Sequence, residues 1–185
     1  MITSTSQSLL ELVDETGRAV GVSEKLSAHQ APGRLHRAFS VLLLDGQGRL
    51  LLQRRAAGKY HFPLAWTNSC CGHPAPDEPP FTAAVRRVWQ ELRVAPALLK
   101  EVGTVSYTVM DDQTGLVERE FDHIFVGEVR DEPHPDPDEV AATAFVTVGE
   151  LSGRLQTSRF TLWFEPVLNA ARPALRDWRG TQSGW

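Results

Sequence analysis

The segment NSCCGHP, residues 68–74, concentrates side chains that can do chemistry. It contains the only two cysteines of the 185-residue chain, Cys70 and Cys71, and His73 follows shortly after them. Such groups can form a disulfide, bind a metal, act as a redox switch or transfer protons. A disulfide between neighbours in sequence strains the peptide and closes almost no loop, so it would stabilise little. This cysteine usage indicates a reducing compartment, and we expect a cytoplasmic protein.

Metal-ligating side chains recur in two other segments. His29 and His36 lie in SAHQAPGRLHRAFS, and VEREF contains Glu118 and Glu120, whose spacing puts both on one face of a strand. Taken singly, each has an ordinary explanation as a surface side chain. Together with His73 they match a mixed nitrogen and oxygen site for Zn²⁺, Mn²⁺ or Fe²⁺. Sequence spacing alone does not bring these separate segments together.

A helix is predicted shortly after the cysteine segment. The stretch FTAAVRRVWQEL, residues 81–92, repeats apolar residues with helical periodicity. The pattern predicts one apolar stripe formed by Phe81, Ala84, Val85, Val88, Trp89 and Leu92. Arg87 and Glu91 are four residues apart and therefore neighbours on another face, where a solvated pair is the commoner outcome.

Strands outnumber helices in the rest of the chain. The apolar runs that flank a polar turn at 9–20 predict a hairpin. Further apolar or alternating runs predict strands at 38–45, 49–55, 103–109, 117–129 and 144–148. A second helix is predicted at 159–175, with Pro166 as a kink or break, and a proline-rich acidic loop at 132–139. This mixture predicts an α+β or α/β sandwich. We expect one domain over residues 9–176 and flexible tails at 1–8 and 177–185.

Charge and hydropathy argue against two classes of partner. The formal net charge of −4 gives no support to nucleic-acid binding, which favours basic patches. No apolar run reaches the roughly 18 residues that a membrane-spanning helix needs. The first ten residues lack the basic start and apolar stretch of a secretory signal. We therefore expect no nucleic acid and no membrane among the partners.

The spacing Gly72–x5–Glu78–x7–Arg86, followed by a helix that carries Glu91, resembles the Nudix box. The resemblance implies an α/β/α sandwich in which helices flank a mixed sheet, here with an N-terminal strand extension. Arg87 and Gln90 replace two of the three helix carboxylates of the full box. Nudix hydrolases use those carboxylates to hold several metals and activate water. One remaining glutamate suits a single Mg²⁺ against substrate phosphates, so this helix suits binding of a diphosphate better than its cleavage.

Four segments, SAHQAPGRLHRAFS, WTNSCCGHP, RRVWQEL and GLVERE, occur in the order and approximate spacing of the type 1 isopentenyl-diphosphate isomerases. The chain resembles this family from about residue 9 to about residue 170. The resemblance implies isomerisation of isopentenyl diphosphate to dimethylallyl diphosphate, in isoprenoid biosynthesis. The alternatives are a Nudix hydrolase, a paralogue acting on another prenyl diphosphate, and a binding protein with structural zinc.

The same resemblance implies roles for individual residues. The first metal, Mn²⁺, Zn²⁺ or Fe²⁺, is expected on His29, His36, His73, Glu118 and Glu120. One Mg²⁺ is expected on Glu91, the backbone carbonyl of Cys71 and the substrate diphosphate, with Lys25, Arg55, Lys59 and Arg87 contacting that diphosphate. Cys71 and Glu120 are expected to be the acid/base pair, and Trp66 and Trp163 to stabilise positive charge. The partner is a small prenyl diphosphate, and the protein is expected to be a monomer or a dimer.

Three expectations concern single positions. A tyrosine of the family falls one place out of register with Tyr107, so either Tyr107 or Thr108 occupies its place. Arg93 stands where the family usually has glycine, and we expect a change in the turn that ends the helix. The Cys71 thiol is expected to have a pKa near neutrality, so that it exchanges a proton at little cost, while Cys70 packs into the scaffold.

Overall fold

The computed structural model of the chain describes residues 9–178 and 185, and all element assignments concern those residues. The strands are β1 (Leu9–Val13), β2 (Ala19–Glu24), β3 (His36–Leu44), β4 (Leu50–Arg55), β5 (Trp66–Thr67), β6 (Cys70–Gly72), β7 (Leu98–Met110), β8 (Val117–Glu128) and β9 (Val140–Val146). The helices are α1 (Lys25–His29), α2 (Pro80–Leu92), α3 (Val148–Thr157) and α4 (Phe164–Arg176).

Strand β3 is the centre of a mixed sheet. It pairs in parallel with β8 along its whole length, from His36 opposite Glu120 to Leu44 opposite Glu128. It also pairs antiparallel with β6, where Ser40 is opposite Cys71. The apolar run in β3 is buried on both faces, as expected of a strand inside a sheet covered on both sides. This pairing places the start of β3, β6 and β8 beside one another.

Helices cover the two faces of this sheet. Val88 of α2 packs with Val41 and Phe125 in one apolar cluster, and Phe164 of α4 packs with Leu42 in another. Alternate side chains of β3 therefore enter opposite cores. The predicted α/β/α sandwich with a mixed sheet is confirmed, and the N-terminal hairpin β1–β2 extends the sheet beside β3.

The buried face of α2 differs from the predicted stripe. Ala84, Val88 and Leu92 are buried, but Phe81, Val85 and Trp89 are exposed. The helix is rotated so that Ala83 and Glu91, which the periodicity did not select, also face inward. The predicted stripe is partly wrong because the helix directs the Glu91 carboxylate inward as well as burying apolar side chains.

The end of α2 keeps the usual geometry despite the missing glycine. Arg93 adopts a left-handed conformation, with φ of 56° and ψ of 30°, and its N–H donates to the carbonyl of Trp89 at 3.0 Å. This is the conformation that glycine favours after a helix. The expectation of a changed turn is therefore wrong. Arg93 instead adopts a left-handed conformation that is strained for a residue with a side chain.

The C-terminal part contains two corrections. Helix α4 begins at Phe164, so Pro166 lies in its first turn, where the missing N–H costs no helical bond, and the proline inside the helix is Pro173. Residues 159–163 are outside the helix, and Phe160 forms an isolated bridge with Trp66. Helices α1 and α3 and the short strands β5 and β6 were not predicted, since each is too short or too polar to show a period.

The predicted tails lie mostly outside the described residues. Residues 1–8 and 179–184 belong to that part of the chain. Trp185 is described and buried, and its indole N–H donates to the carbonyl of Gly48 at 2.9 Å. The domain boundaries remain predictions.

Candidate active site

A cavity of about 570 Å³ opens beside the start of β3. Most of the residues that sequence reasoning selected line it, namely Lys25, Arg55, Lys59, Cys71, His73, Arg87, Glu91, Glu118, Glu120 and Trp163. They come from α1, β4 and the loop after it, β6 and the residue after it, α2, β8 and the residue before α4. The fold thus brings together segments that are far apart in sequence.

The five predicted metal ligands form one cluster behind this cavity. His29, His36, His73, Glu118 and Glu120 each offer one ligand atom, and these atoms all lie within 4.8 Å of one another. The parallel pairing of β3 with β8 sets His36 opposite Glu120. The two glutamates are two residues apart on β8 and so face the same side, as predicted.

Two of the histidines are oriented by backbone carbonyls. Nδ1 of His29 lies 2.6 Å from the carbonyl oxygen of Lys25, and Nδ1 of His36 lies 2.7 Å from that of Arg34. A carbonyl only accepts, so each Nδ1 carries the proton and each Nε2 presents a lone pair to the cluster. Metal-ligating histidines typically have this arrangement.

The electrostatics of the cluster suit a divalent cation. Burial raises the pKa of the Glu118 carboxyl, but its contacts with His29 and His61 outweigh this effect and hold that pKa well below its usual range. Burial lowers the pKa of His73 to about 4. The carboxylate is charged and the imidazole neutral near pH 7, which are the states that bind metal. Nε2 of His36 lies 3.2 Å from Nε2 of His73, a close approach of nitrogens that a shared cation would stabilise.

Strand alternation separates the two cysteines. Cys70 is fully buried in the core beneath α2, whereas Cys71 points to the cavity. Burial raises the pKa of the Cys71 thiol to about 12, Arg55 opposes this effect, and Glu91 and Glu120 add to it. The thiol is protonated at neutral pH, so the expectation of a pKa near neutrality is wrong. Burial of the sulfur, which the sequence does not show, is the main cause of the raised pKa, and the nearby carboxylates add to it.

Tyr107 reaches Glu120 from the neighbouring strand. It stands directly opposite Glu120 in the register of β7 and β8, and its hydroxyl donates to that carboxylate. Thr108 stands opposite Arg119, whose side chain points to the other face. The structure therefore places Tyr107, not Thr108, at the site.

Four cationic side chains and two carboxylates line another part of the cavity. Arg87 pairs with Glu91 and lies 3.2 Å from Glu139, which also pairs with Lys59. Lys25 and Arg55 are the other two of these four cations, and Arg86, paired with Glu78, also lines the cavity. This arrangement can bind a dianionic or trianionic group together with a hard cation held by carboxylate oxygens.

The comparisons with known proteins agree with this geometry. The NUDIX domain family matches residues 34–164. An isopentenyl-diphosphate Delta-isomerase of Streptomyces coelicolor is 60% identical over 177 residues, which cover 96% of this chain and 90% of the relative. The protein of the same name from Nocardia farcinica is 50% identical over 92% of this chain and 98% of its own length.

The chain belongs to the isopentenyl-diphosphate Delta-isomerase family. The match extends to more distant members, such as that of Halorhodospira halophila, 39% identical over 90% of this chain and 95% of the relative. Among solved structures, a Deinococcus radiodurans protein superposes with a TM-score of 0.71 at 21% identity, covering 89% of this chain and 98% of its own. A MutT protein of Methanosarcina mazei superposes with a TM-score of 0.58 at 19% identity, and the match covers 76% of this chain and 95% of the MutT protein. These two likenesses show the Nudix fold.

The Nudix box of this isomerase-family chain has a structural role in the loop before α2. The guanidinium of Arg86 donates to both carboxylate oxygens of Glu78, at 2.9 and 2.8 Å. A Cβ on Gly72 would lie 3.2 Å from the ring of Phe39, so the close approach of β6 to β3 favours glycine there. The box holds the strand and helix that carry Cys71 and Glu91 in place.

The two predicted tryptophans have different surroundings. Trp163 is buried, lines the cavity, and has its ring 5.4 Å from Cζ of Arg55. Trp66 does not line the cavity; its ring packs beneath Arg154 at 5.0 Å, and its backbone bonds to residues 159 and 161. These contacts favour a packing role for Trp66 and give no support to the prediction that it stabilises charge on a substrate.

Sequence reasoning missed several polar residues of the site. They are Gln53, Tyr60, His61 and Glu139 in the cavity wall, and Asp122 behind it. The amide of Gln53 donates to Glu91 at 3.1 Å, and Asp122 accepts from Ser40 at 2.7 Å. Asp122 continues the two-residue period of Glu118 and Glu120, a signal that could have found it. Gln53 lies inside β4, and the other three lie in loops, where no spacing marks them.

Proposed function

We propose that this chain converts isopentenyl diphosphate to dimethylallyl diphosphate by adding a proton at one end of a three-carbon unit and removing another at the far end. One observation supports this most strongly. Glu120, a member of the metal cluster, lines the same cavity as Cys71 and the four cations. The site thus combines two groups that can transfer protons with cations that can bind a diphosphate. Relatives that bear this enzyme's name at 50–60% identity support the same reaction.

The cluster of three histidines and two glutamates fits one Mn²⁺, Zn²⁺ or Fe²⁺, because its buried donors are a mixture of imidazoles and carboxylates. Glu91, with the backbone carbonyl of Cys71 and the substrate diphosphate, fits one Mg²⁺, which prefers oxygen ligands. When bound, these ions alter the acidity of a ligating carboxyl and neutralise diphosphate charge. The identity of both ions is part of the proposal.

The cations act on the non-reacting end of the substrate. We assign the diphosphate contacts to Lys25, Arg55, Lys59 and Arg87, all of which line the cavity. Binding energy from this end fixes the alkene between the acid/base groups. The ion pairs of Arg87 and Lys59 with Glu139 hold these side chains in position.

Cys71 and Glu120 transfer the protons. One adds a proton to the terminal alkene carbon, which leaves a tertiary carbocation, and the other removes a proton from the carbon beyond the cationic centre. Because one proton is gained and one lost, the product is an isomer. The protonated Cys71 thiol can serve as a donor, and Tyr107 fixes the carboxylate of Glu120 through its hydroxyl. The face of Trp163 can stabilise the cation by about 0.5–2 kcal/mol.

The reaction class is tested by incubating the purified chain with isopentenyl diphosphate and Mg²⁺ and recording proton and phosphorus NMR spectra. The proposal predicts dimethylallyl diphosphate with its diphosphate intact. Release of orthophosphate without a rearranged product would instead indicate a Nudix hydrolase. Stripping metal with a chelator should abolish turnover, and Mn²⁺ or Zn²⁺ with Mg²⁺ should restore it, whereas full turnover by the stripped protein would contradict the metal assignment.

Location and assembly are separate proposals. Among residues 9–178, no helix is both long and apolar enough to cross a membrane. We propose a cytoplasmic enzyme, in keeping with its two free thiols, that acts as a monomer or dimer on a small substrate. Cell fractionation and light scattering of the purified chain test these two points.

A further inference from the structure

His61 is a fourth histidine beside the metal cluster, and it is buried. It follows β4 in the stretch KYHFP, and only 5% of its surface is exposed. Its Nε2 contacts Oε1 of Glu118, and its ring stacks on that of His29 with centroids 5.7 Å apart. Neither the metal cluster nor the acid/base pair includes it, so its role needs an explanation.

The hydrogen bonds of His61 differ from those of the ligand histidines. His29 and His36 each donate Nδ1–H to a carbonyl, which leaves Nε2 as a lone pair for a cation. Nδ1 of His61 is buried and has no partner among the described residues. A buried N–H without an acceptor is rarer and costlier than an unused acceptor, so in neutral His61 the proton lies on Nε2. Nε2–H then donates to Glu118, and His61 has no lone pair to offer there.

This bond divides the two oxygens of Glu118 between two partners. Oε2 lies 2.7 Å from Nε2 of His29, the ligand atom of that histidine, and so faces the cluster. Oε1 faces His61 on the opposite side. A donor on Oε1 fixes the plane of the carboxylate and leaves one oxygen for the cation. Partners behind metal ligands typically have this effect.

From these contacts we infer that His61 is a positioning residue, which holds Glu118 in the orientation that binds the cluster's metal but does not bind the metal itself. The inference rests on the metal site of the proposed function. It predicts that the metal binds more tightly when His61 is present than when it is removed, because the held carboxylate of Glu118 loses less freedom when the metal binds. Sequence patterns gave no sign of it, since His61 acquires the role only when the loop after β4 folds against β8.

Three substitutions separate the donor from the bulk of the ring. His61→Gln can place an N–H near the position of Nε2, His61→Asn places one nearer Nδ1, and His61→Ala removes both. His134→Ala, at an exposed position outside the site, is the matched control for loss of an imidazole. Thermal melting of each metal-free variant verifies that it is folded before metal is added.

The binding of Mn²⁺ alone, without substrate, is measured by electron paramagnetic resonance at fixed pH. His61→Ala and His61→Asn should weaken binding about 10–100-fold, while His61→Gln and His134→Ala should bind like the natural chain. Equal affinity of His61→Ala and the natural chain for Mn²⁺ would overturn this inference and leave the proposed metal site intact. If the natural chain binds no ion, the inference falls together with the proposed metal site.

X-ray absorption of the zinc-loaded protein counts imidazole ligands and distinguishes positioning from ligation. The positioning role predicts three imidazoles in both the natural chain and His61→Ala. Four imidazoles in the natural chain and three in His61→Ala would make His61 a ligand and overturn the inference.

Discussion

At the scale of residues, the two adjacent thiols provide the sharpest contrast in the molecule. Cys71 faces the cavity, while Cys70 lies in the apolar core beneath α2. Cys71→Ala should lower kcat by about 10²–10⁴-fold, because it removes the group that we propose transfers a proton. Cys70→Ala should retain most activity and lower only thermal stability, because it leaves a small void in the core.

Steady-state rates and melting curves of both variants make this comparison. A loss of kcat in Cys70→Ala as large as that in Cys71→Ala, with the protein still folded, would contradict the assignment of the catalytic thiol.

At the scale of elements, the C-terminus of α2 stores strain that can be released. Arg93 has a positive φ, which costs a non-glycine residue about 1 kcal/mol. Arg93→Gly should therefore raise the free energy of unfolding by about 0.5–1 kcal/mol, measured by urea denaturation. Arg93→Ala keeps Cβ and removes only the exposed pair with Asp136, so it serves as the control and should not stabilise the chain. A destabilised glycine variant would show that the strain is not present.

The N-terminal hairpin is joined to the sheet by an ion pair with a defined pH dependence. Glu11 of β1 pairs with Arg37 of β3 and accepts from the backbone N–H of Asp77 at 3.2 Å. Burial raises the pKa of the Glu11 carboxyl, but the bonds from Arg37 and Asp77 outweigh it and hold that pKa below its ordinary value of 4.5. The resulting stability is present above pH 4.5 and is lost as pH falls below that value.

Glu11→Gln should therefore lower the free energy of unfolding by about 1–3 kcal/mol at pH 7, and the difference should shrink toward pH 3. Denaturant melts at several pH values measure it. Glu15→Gln removes a carboxylate that is 76% exposed in its pair with Arg119 and should have no such effect. A difference between Glu11→Gln and the natural chain that grows on acidification would contradict this account.

How much of these elements could be predicted depended on whether periodicity or three-dimensional contact decided them. The paired strands β3, β4, β7 and β8 and the helix α2 have clear periods, and their existence was predicted. The inward rotation of α2 was not, because it depends on Glu91 meeting Arg87 and Gln53. The five metal ligands came from family resemblance rather than spacing. His61 and Glu139 were missed because loops bring them to the site.

At the scale of the whole molecule, the sandwich serves to bring three separate functions to one cavity. The paired strands β3 and β8 supply three of the five cluster residues, and α1 and the residue after β6 supply the other two. Strand β6 supplies Cys71, and α2 supplies Glu91 and Arg87. The chain has a Nudix domain, but its helix has Arg87 and Gln90 where the hydrolytic box has two carboxylates. Under the proposed function, the helix contributes to diphosphate binding while the neighbouring strands supply the groups for proton transfer.

The central claim is that this cavity moves a double bond by exchanging protons with its own side chains. The most direct measurement is proton and deuterium NMR of isopentenyl diphosphate incubated with the metal-loaded chain in deuterated water. The account predicts dimethylallyl diphosphate with deuterium in a methyl group, and loss of nearly all of this product in Glu120→Gln. Unchanged substrate with the natural chain, or dimethylallyl diphosphate free of solvent deuterium, would contradict it.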